Sequence, residues 1–178
     1  PRPARPEGFC QPSSRRAEDA RRKALQAAGW RDLEQVGSGS FGTVYRAFQG
    51  DGSPAYAVKV FHRGASLLDK PKHFERAVAR LGGSADRGVV RYHPELCSVE
   101  SDPAWVVMDF VEGQTLDAFW RRSAPDREAL ALALVEAAAR LHQVGIVHRD
   151  LRPANVIVKG DDEPTIVDLG LARLRLGE

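Results

Sequence analysis

Two short polar motifs joined by a predicted β-hairpin constrain the fold of this chain more than any other feature. Residues 148–155 read His-Arg-Asp-Leu-Arg-Pro-Ala-Asn, and residues 168–170 read Asp-Leu-Gly. Between them lie the apolar runs 156–158 and 165–167, separated by a polar turn that contains glycine and proline. Short apolar runs on either side of such a turn are typical of a hairpin. The hairpin would bring the end of the first motif close to the start of the second.

Three residues of these motifs can carry chemistry. Asn155 and Asp168 offer one amide oxygen and one carboxylate at neighbouring strand ends. Mg²⁺ prefers hard oxygen ligands and usually shares them with substrate phosphates. Asp150 would then face the metal-bound phosphate as the group that accepts a proton or orients a hydroxyl. The motifs therefore predict a magnesium site with a neighbouring base.

Composition narrows the class of protein. A chain of 178 residues fits one domain or two small lobes and can bury a core. The net charge of +2 indicates neither a nucleic-acid partner nor an anionic membrane. The longest apolar run, residues 129–141, is too short to span a bilayer, and the N-terminus lacks the apolar core of a signal peptide. Cys10 and Cys97 match no metal or redox spacing, which favours a reducing compartment. We therefore expect a cytoplasmic protein.

The N-terminal part predicts a leader followed by a basic helix. Residues 1–14 show no apolar periodicity and indicate a disordered or loosely attached leader. Residues 15–28 are good helix formers, with Ser14 as an N-cap candidate and Gly29 as a stop. The basic face of this helix fits either a solvated surface or an acidic partner.

A glycine-rich loop and a lysine-bearing strand follow. Residues 37–44, Gly-Ser-Gly-Ser-Phe-Gly-Thr-Val, lie between two predicted strands. Glycines at such positions let the backbone approach a phosphate, although glycine-rich hairpins also occur for structural reasons alone. Lys59 lies inside the next predicted strand, residues 55–61. It is either a residue on an exposed face or a buried cation held for an anionic ligand, and its place behind the glycine loop favours the second.

The remaining patterns divide the chain into a mainly β part and a mainly helical part. Residues 69–81 have helical spacing, and residues 89–92 and 105–111 read as two further strands, giving five strands with one inserted helix. Residues 116–122 and 126–143 then predict two helices. The longer one is apolar on nearly all sides, so we expect it to be buried on several sides.

Taken in order, these motifs resemble those of the eukaryotic-like (bacterial-type) serine/threonine protein kinase family. The resemblance covers the glycine loop, the strand around Lys59, a hinge at residues 108–111, and the motifs at 148–155 and 168–170. It implies an α+β, protein kinase-like fold. That fold would comprise a five-stranded antiparallel N-lobe with one inserted helix and the first part of a mainly helical C-lobe. The corresponding division is 1–29 for the leader and basic helix, 30–112 for the N-lobe and 113–178 for the partial C-lobe.

The resemblance also implies ATP and Mg²⁺ as cofactors and assigns roles by position. Lys59 would bind the α- and β-phosphates, Asp150 would orient the substrate hydroxyl and accept its proton, and Asn155 and Asp168 would hold Mg²⁺. Arg152 stands where the family usually has lysine and would keep a positive charge near the γ-phosphate. The other implied nucleotide-binding residues are those of the glycine loop, the adenine pocket and the hinge: Val36, Gly37, Gly39, Gly42, Val44, Ala57, Met108, Asp109 and Val111.

The chain departs from the family pattern in three places. The inserted helix has Ala77 where the family has a glutamate that pairs with the strand lysine, and Glu75 is two positions away. Leu169 replaces the usual phenylalanine. The chain also ends at Glu178, shortly after the second motif, so we expect the activation segment and the remaining large-lobe helices to be missing. A partner or a further segment would then cover the helix at 126–143.

Three functions fit the sequence. The first is an ATP-dependent serine/threonine protein kinase acting on a protein substrate of unknown identity. The second is an ATP-binding pseudokinase or regulatory fragment without protein phosphotransfer. The third is a small-molecule phosphotransferase of kinase-like fold, which the residues Leu151-Arg152-Pro153 fit less well.

Overall fold

The fold is described from a computed structural model for residues 12–39, 41–62, 88–122, 127–160, 162–169 and 173–174. The predicted helix at 69–81, with Glu75 and Ala77, lies outside the described residues. The described helices are α1 (Pro12–Ala27), α2 (Leu116–Arg122) and α3 (Arg127–Gln143). The described strands are β1 (Trp30–Ser38), β2 (Gly42–Gln49), β3 (Tyr56–Phe61), β4 (Trp105–Asp109), β5 (Gln114–Thr115), β6 (Ile146–Val147), β7 (Val156–Val158), β8 (Pro164–Ile166) and β9 (Arg173–Leu174). Two 3₁₀ turns cover Pro94–Leu96 and Pro153–Asn155.

The N-terminal sheet has the strand order β1-β2-β3-β4, and each neighbouring pair is antiparallel. Because side chains alternate along a strand, Ala57, Lys59 and Phe61 of β3 share one face, while Val58 and Val60 share the other. Both faces of β3 are covered, which explains its nearly continuous apolar sequence. Lys59 therefore projects from the inner face of a buried strand.

Helix α1 covers the outer face of this sheet. Its Leu25 is fully buried in an outer cluster of apolar residues that comprises Leu25, Trp30, Tyr45, Ala47, Val58, Val60 and Val107. The helix begins at Pro12, earlier than predicted, because proline is well tolerated in a first turn, where its missing N–H has no partner to lose. Ser14 therefore lies inside the helix and is not its N-cap. Gly29 adopts the left-handed φ of +89° after the last turn, which confirms the predicted stop.

The expected five-stranded N-lobe is corrected to a four-stranded sheet, because residues 89–92 do not form a continuous strand. Val89 makes an isolated parallel bridge to Ile166, and Tyr92 makes an isolated antiparallel bridge to Met108. The segment divides its backbone hydrogen bonds between two different strands, so neither pairing extends into a ladder. We refer to residues 88–93 as the linking segment, since their backbone forms hydrogen bonds to both β8 and β4.

The C-terminal part contains the predicted hairpin. β7 and β8 pair antiparallel with Val156 opposite Ile166, and a β5 strand joins the same sheet on the other edge of β7. The backbone N–H of Val167 donates to the carbonyl of Asn155 at 2.9 Å, which extends the pairing by one residue. The end of the first motif and the start of the second are therefore neighbours, as the sequence predicts.

Helix α3 is buried along one stripe only, which corrects the expectation of burial on several sides. Leu130, Ala137 and Leu141 are buried at helical spacing. Leu130 packs against β7 of the hairpin, and the other two belong to the apolar cluster that contains Ile146, Ile166 and Leu169. On other faces Leu132 and Val135 are 59% and 66% exposed. No segment among the described residues packs over them. The helices of the described part of the chain include none that is long and apolar enough to cross a membrane.

We predict that Leu25→Ala lowers the free energy of unfolding by about 2–5 kcal/mol, because it removes a fully buried side chain and leaves a cavity beneath α1. Leu132→Ala is the matched control, since it is the same change on an exposed helical face. It should alter stability by no more than about 0.5 kcal/mol. Urea denaturation of both variants measures the difference. Equal stability losses would contradict the assignment of α1 to the folded core.

Candidate active site

A cleft of about 360 Å³ separates the N-terminal sheet from the β7–β8 hairpin. Its volume falls within the range of small-molecule sites. Ten of the residues predicted from the sequence line it: Val36, Gly37, Val44, Ala57, Lys59, Met108, Asp109, Val111, Asn155 and Asp168. Four predicted residues, Gly39, Gly42, Asp150 and Arg152, do not line it. The cleft thus has an apolar upper wall from the sheet and a polar end at Lys59, Asn155 and Asp168.

The glycines of the loop have different structural surroundings. A Cβ on Gly42 would lie 2.5 Å from the carbonyl oxygen of Val60, so the packing of β2 on β3 by itself requires glycine there. Side chains at Gly37 and Gly39 would meet nothing within 4 Å. These two positions leave open space above the cleft, which suits the close approach of a ligand to the backbone.

Lys59 and Asp168 join the two walls of the cleft through an ion pair. The Lys59 Nζ lies 2.5 Å from Asp168 Oδ1. Lys59 is buried, whereas the Asp168 side chain is 31% exposed at the cleft. A buried ammonium group without a partner would be strongly destabilising, so the carboxylate compensates for its lost hydration.

Asp150 lies beside the cleft and is held by its own loop. The Asn155 Nδ2 donates hydrogen bonds to the Asp150 carbonyl at 2.9 Å and to its Oδ2 at 3.0 Å. Arg152 Nε lies 3.7 Å from the same Oδ2. Arg149, between His148 and Asp150, has a left-handed φ of +66°, as does Asp168. Such backbone conformations are unfavourable for residues with a Cβ and persist where the surroundings determine them.

His148 connects the two motifs. The backbone N–H of Asp150 donates to its Nδ1 at 3.3 Å, so its Nε2 is the nitrogen that donates to the Val167 carbonyl, also at 3.3 Å. Burial lowers the pKa of the His148 imidazole, while that hydrogen bond and the Asp168 charge oppose the shift. The imidazole is therefore neutral when it bridges the motifs.

The residues present fit Mg²⁺. Asn155 uses both amide hydrogens on Asp150, so its oxygen is the side-chain atom suited to coordinate a metal. Asp168 adds a carboxylate at the same end of the cleft. Within the described ranges, no group of three or more His, Cys, Asp and Glu side chains could hold a metal ion. Two protein oxygens suit a Mg²⁺ ion that takes its remaining ligands from water and phosphate.

A known protein family matches most of the chain. The family described as "Protein kinase domain" matches residues 30–176, which include the sheet, the cleft and both motifs. This chain belongs to the protein kinase family.

The chain is similar to several curated serine/threonine-protein kinases. It is 32% identical over 165 residues to PknK of Mycobacterium tuberculosis, covering 86% of this chain and 14% of that protein. It is 34% identical over 152 residues to pkn2 of Myxococcus xanthus, covering 82% of this chain and 18% of the relative. For cds1 of Schizosaccharomyces pombe the identity is 27% over 177 residues, covering 93% and 38% respectively. The chain thus spans less than two-fifths of the length of each of these relatives.

The cleft and its surroundings include residues that the motifs do not reveal. Ile157 lines the cleft beneath the sheet; the alternation of β7, whose Val156 and Val158 are buried on the opposite side, is the signal that could have found it. His93 Nε2 lies 2.6 Å from Asp109 Oδ1 and holds the side chain of the hinge residue. Tyr92 contacts Leu169 through its hydroxyl. His93 and Tyr92 lie in the linking segment, and no local pattern indicates their partners.

We predict that the protein loses stability as the pH falls below the ordinary histidine pKa of 6.5, because of His148. The pKa of His148 is lower in the folded state. Between that pKa and 6.5, the unfolded chain therefore binds a proton that the folded chain does not bind. This loss of stability is absent above pH 6.5, and it grows as the pH falls from 6.5 to the folded-state pKa of His148. Urea titrations on both sides of that pH measure the slope. His148→Phe should reduce it, and an unchanged slope in this variant would show that other groups cause the effect.

Proposed function

We propose that this chain forms the nucleotide-binding and phosphoryl-transfer part of a serine/threonine protein kinase, which transfers the γ-phosphate of ATP to a hydroxyl of a protein substrate. The proposal rests on one arrangement of residues: Lys59, Asn155 and Asp168 lie together at one end of an apolar cleft, and Asp150 is hydrogen-bonded to Asn155. The names of the similar proteins support the same activity. No observation favours the pseudokinase or the small-molecule phosphotransferase.

The apolar part of the cleft suits adenine. Val36, Val44 and Ala57 would cover the ring from the sheet, and Ile157 would support it from β7. The N–H of Asp109 already donates to the carbonyl of Arg91 at 2.9 Å. The backbone carbonyl of Asp109 would therefore be the group that accepts a hydrogen bond from the adenine edge. The backbone of Val111 would supply the next hydrogen bond, and Met108 would close the pocket behind.

The polar end of the cleft suits the phosphates. Gly37 and Gly39 leave room for the backbone to approach them, and Gly42 lets β2 lie close to β3. Lys59 would bind the α- and β-phosphates, and Arg152 would add positive charge near the γ-phosphate. Asn155 and Asp168 would hold Mg²⁺. Bound Mg²⁺ neutralises phosphate charge during transfer.

Catalysis in this arrangement depends mainly on positioning and on charge neutralisation. Asn155 donates a hydrogen bond to Oδ2 of Asp150. The other carboxylate oxygen, Oδ1, would therefore be the one that accepts the proton of the substrate hydroxyl. Asp150 would orient that hydroxyl in line with the γ-phosphate and accept its proton. Lys59 contacts Asp168 in the structure. When nucleotide binds, Lys59 would pair with the phosphates instead and Asp168 would hold Mg²⁺, so that neither charge would lack a partner.

The wider setting is also part of the proposal. A cytoplasmic location is supported by Cys97, whose thiol donates to the His93 carbonyl and accepts from the Val107 N–H, since the first of these bonds requires the S–H of a reduced cysteine. A partner or a further segment would cover Leu132 and Val135 on α3, because an exposed apolar face of a helix is typical of an interface.

We predict that Asp150→Ala lowers kcat by about 10²- to 10⁴-fold while nucleotide binding persists, because the proton acceptor is lost whereas Lys59 and the adenine pocket are unchanged. Transfer from labelled ATP to a generic protein acceptor and calorimetric binding of ADP measure the two effects. Asp117→Ala on the exposed surface of α2 is the control and should leave both unchanged. Binding without transfer in the unaltered protein would favour the pseudokinase instead.

We further predict that Asp168→Ala abolishes transfer and the dependence of nucleotide affinity on Mg²⁺, because one of the two metal ligands is lost. Lys59→Met should weaken productive ATP binding but keep that dependence. The same transfer assay, with binding titrations with and without Mg²⁺, separates the two roles. Unchanged transfer in the Asp168 variant would refute the metal assignment.

A further inference from the structure

We propose that the Tyr92 hydroxyl is a positioning group for Asp168: it holds the peptide that follows Asp168 and so sets the direction of the carboxylate. The inference rests on the proposed function, because it concerns the placement of a proposed metal ligand. Tyr92 lies 77 residues before Leu169 and belongs to neither motif.

The position of Tyr92 is determined by the linking segment. At one end, Val90 N–H donates to the Ile166 carbonyl at 2.9 Å, and Ile166 N–H donates to the Gly88 carbonyl at 2.7 Å. At the other end, the carbonyl of Arg91 accepts from β4, and the N–H of His93 donates to β4. The backbone at Tyr92 is therefore held between the hairpin and the hinge strand.

The phenol of Tyr92 meets the second motif in the core. The backbone N–H of Leu169 donates to the Tyr92 hydroxyl at 2.9 Å, and the two residues are only 1% and 2% exposed. A buried N–H that loses its partner retains the full cost of its lost hydration. The hydroxyl thus holds this peptide where water cannot replace it.

The peptide held by Tyr92 lies next to a strained residue. Asp168 has a φ of +66°, which only the surroundings can maintain in a residue with a side chain. Before it, Val167 is bonded to Asn155 through its N–H and to His148 through its carbonyl. After it, Leu169 is bonded to Tyr92. The contact with Tyr92 is thus one of the hydrogen bonds that fix the peptide plane between Asp168 and Leu169.

The chemical state of the phenol suits this role. Burial, and then the charge of Asp168, raise the pKa of Tyr92 far above its ordinary value. The group remains a neutral phenol, whose oxygen accepts the Leu169 N–H without adding a negative charge beside the carboxylate. A metal ligand held through a neighbouring hydrogen bond is a common arrangement, and loss of such a contact typically reduces metal affinity or activity by about 10- to 100-fold.

Tyr92→Phe tests the proposal, because it removes one oxygen atom and keeps the ring. We expect the Mg²⁺ concentration for half-maximal transfer to rise by about 10- to 100-fold, with ADP affinity measured without Mg²⁺ unchanged. In the protein free of metal and nucleotide, the Leu169 amide should exchange its hydrogen faster. The second measurement does not depend on activity.

Tyr45→Phe is the matched control. Tyr45 is also fully buried, and its hydroxyl has no hydrogen-bond partner among the described residues. Removing it deletes the same atom from the outer cluster without breaking a bond. The control should leave both the Mg²⁺ dependence and the Leu169 exchange as in the unaltered protein.

Each outcome bears on the proposal. Faster Leu169 exchange together with a raised Mg²⁺ requirement in Tyr92→Phe supports it. An unchanged Mg²⁺ requirement overturns it, even if exchange is faster, because the contact is then only structural. Rapid Leu169 exchange in the unaltered protein also overturns it and needs no variant. Absence of transfer in the unaltered protein refutes the proposed function separately; Mg²⁺-dependent ADP binding then replaces transfer as the metal readout.

Discussion

The ion pair between Lys59 and Asp168 is the interaction on which the rest of the site depends. Lys59 projects from a strand that is covered on both faces, where an uncompensated ammonium group would oppose folding. Its partner, Asp168, follows the hairpin on the other side of the cleft. The carboxylate of Asp168 therefore neutralises the charge of Lys59. The same two groups are those that an incoming phosphate and its metal would separate. One contact thus compensates the buried charge of Lys59 and joins the two walls of the cleft.

The carboxylate of this pair is placed by a set of contacts around one short turn. His148 and Asn155 hold the backbone before Asp168, and Tyr92 holds the backbone after it. The linking segment brings Tyr92 to that turn because its backbone bonds both to β8 and to β4. A left-handed aspartate can persist in such surroundings, since no single bond has to supply the whole cost of the strain.

Local patterns predicted the elements that local physics controls. The strands β2 and β3, the stop at Gly29 and the hairpin that joins Asn155 to Asp168 all follow from local residue patterns, and the structure has them. The prediction failed for residues 89–92, because two strands compete for one short segment, and sequence periodicity does not show such competition. It also failed for α3, because an apolar composition on all sides does not show which faces find a partner.

What the sequence by itself determined is the identity and order of the chemical groups: a glycine loop, a lysine, two aspartates and an asparagine, spaced as in protein kinases. What only the tertiary structure decided is how these groups are held. The bonds from Tyr92 to Leu169, from His93 to Asp109 and from Lys59 to Asp168 connect residues from separate elements. Such bonds arise from chain packing, and packing depends on the shape and register of whole elements, which no local run of residues encodes.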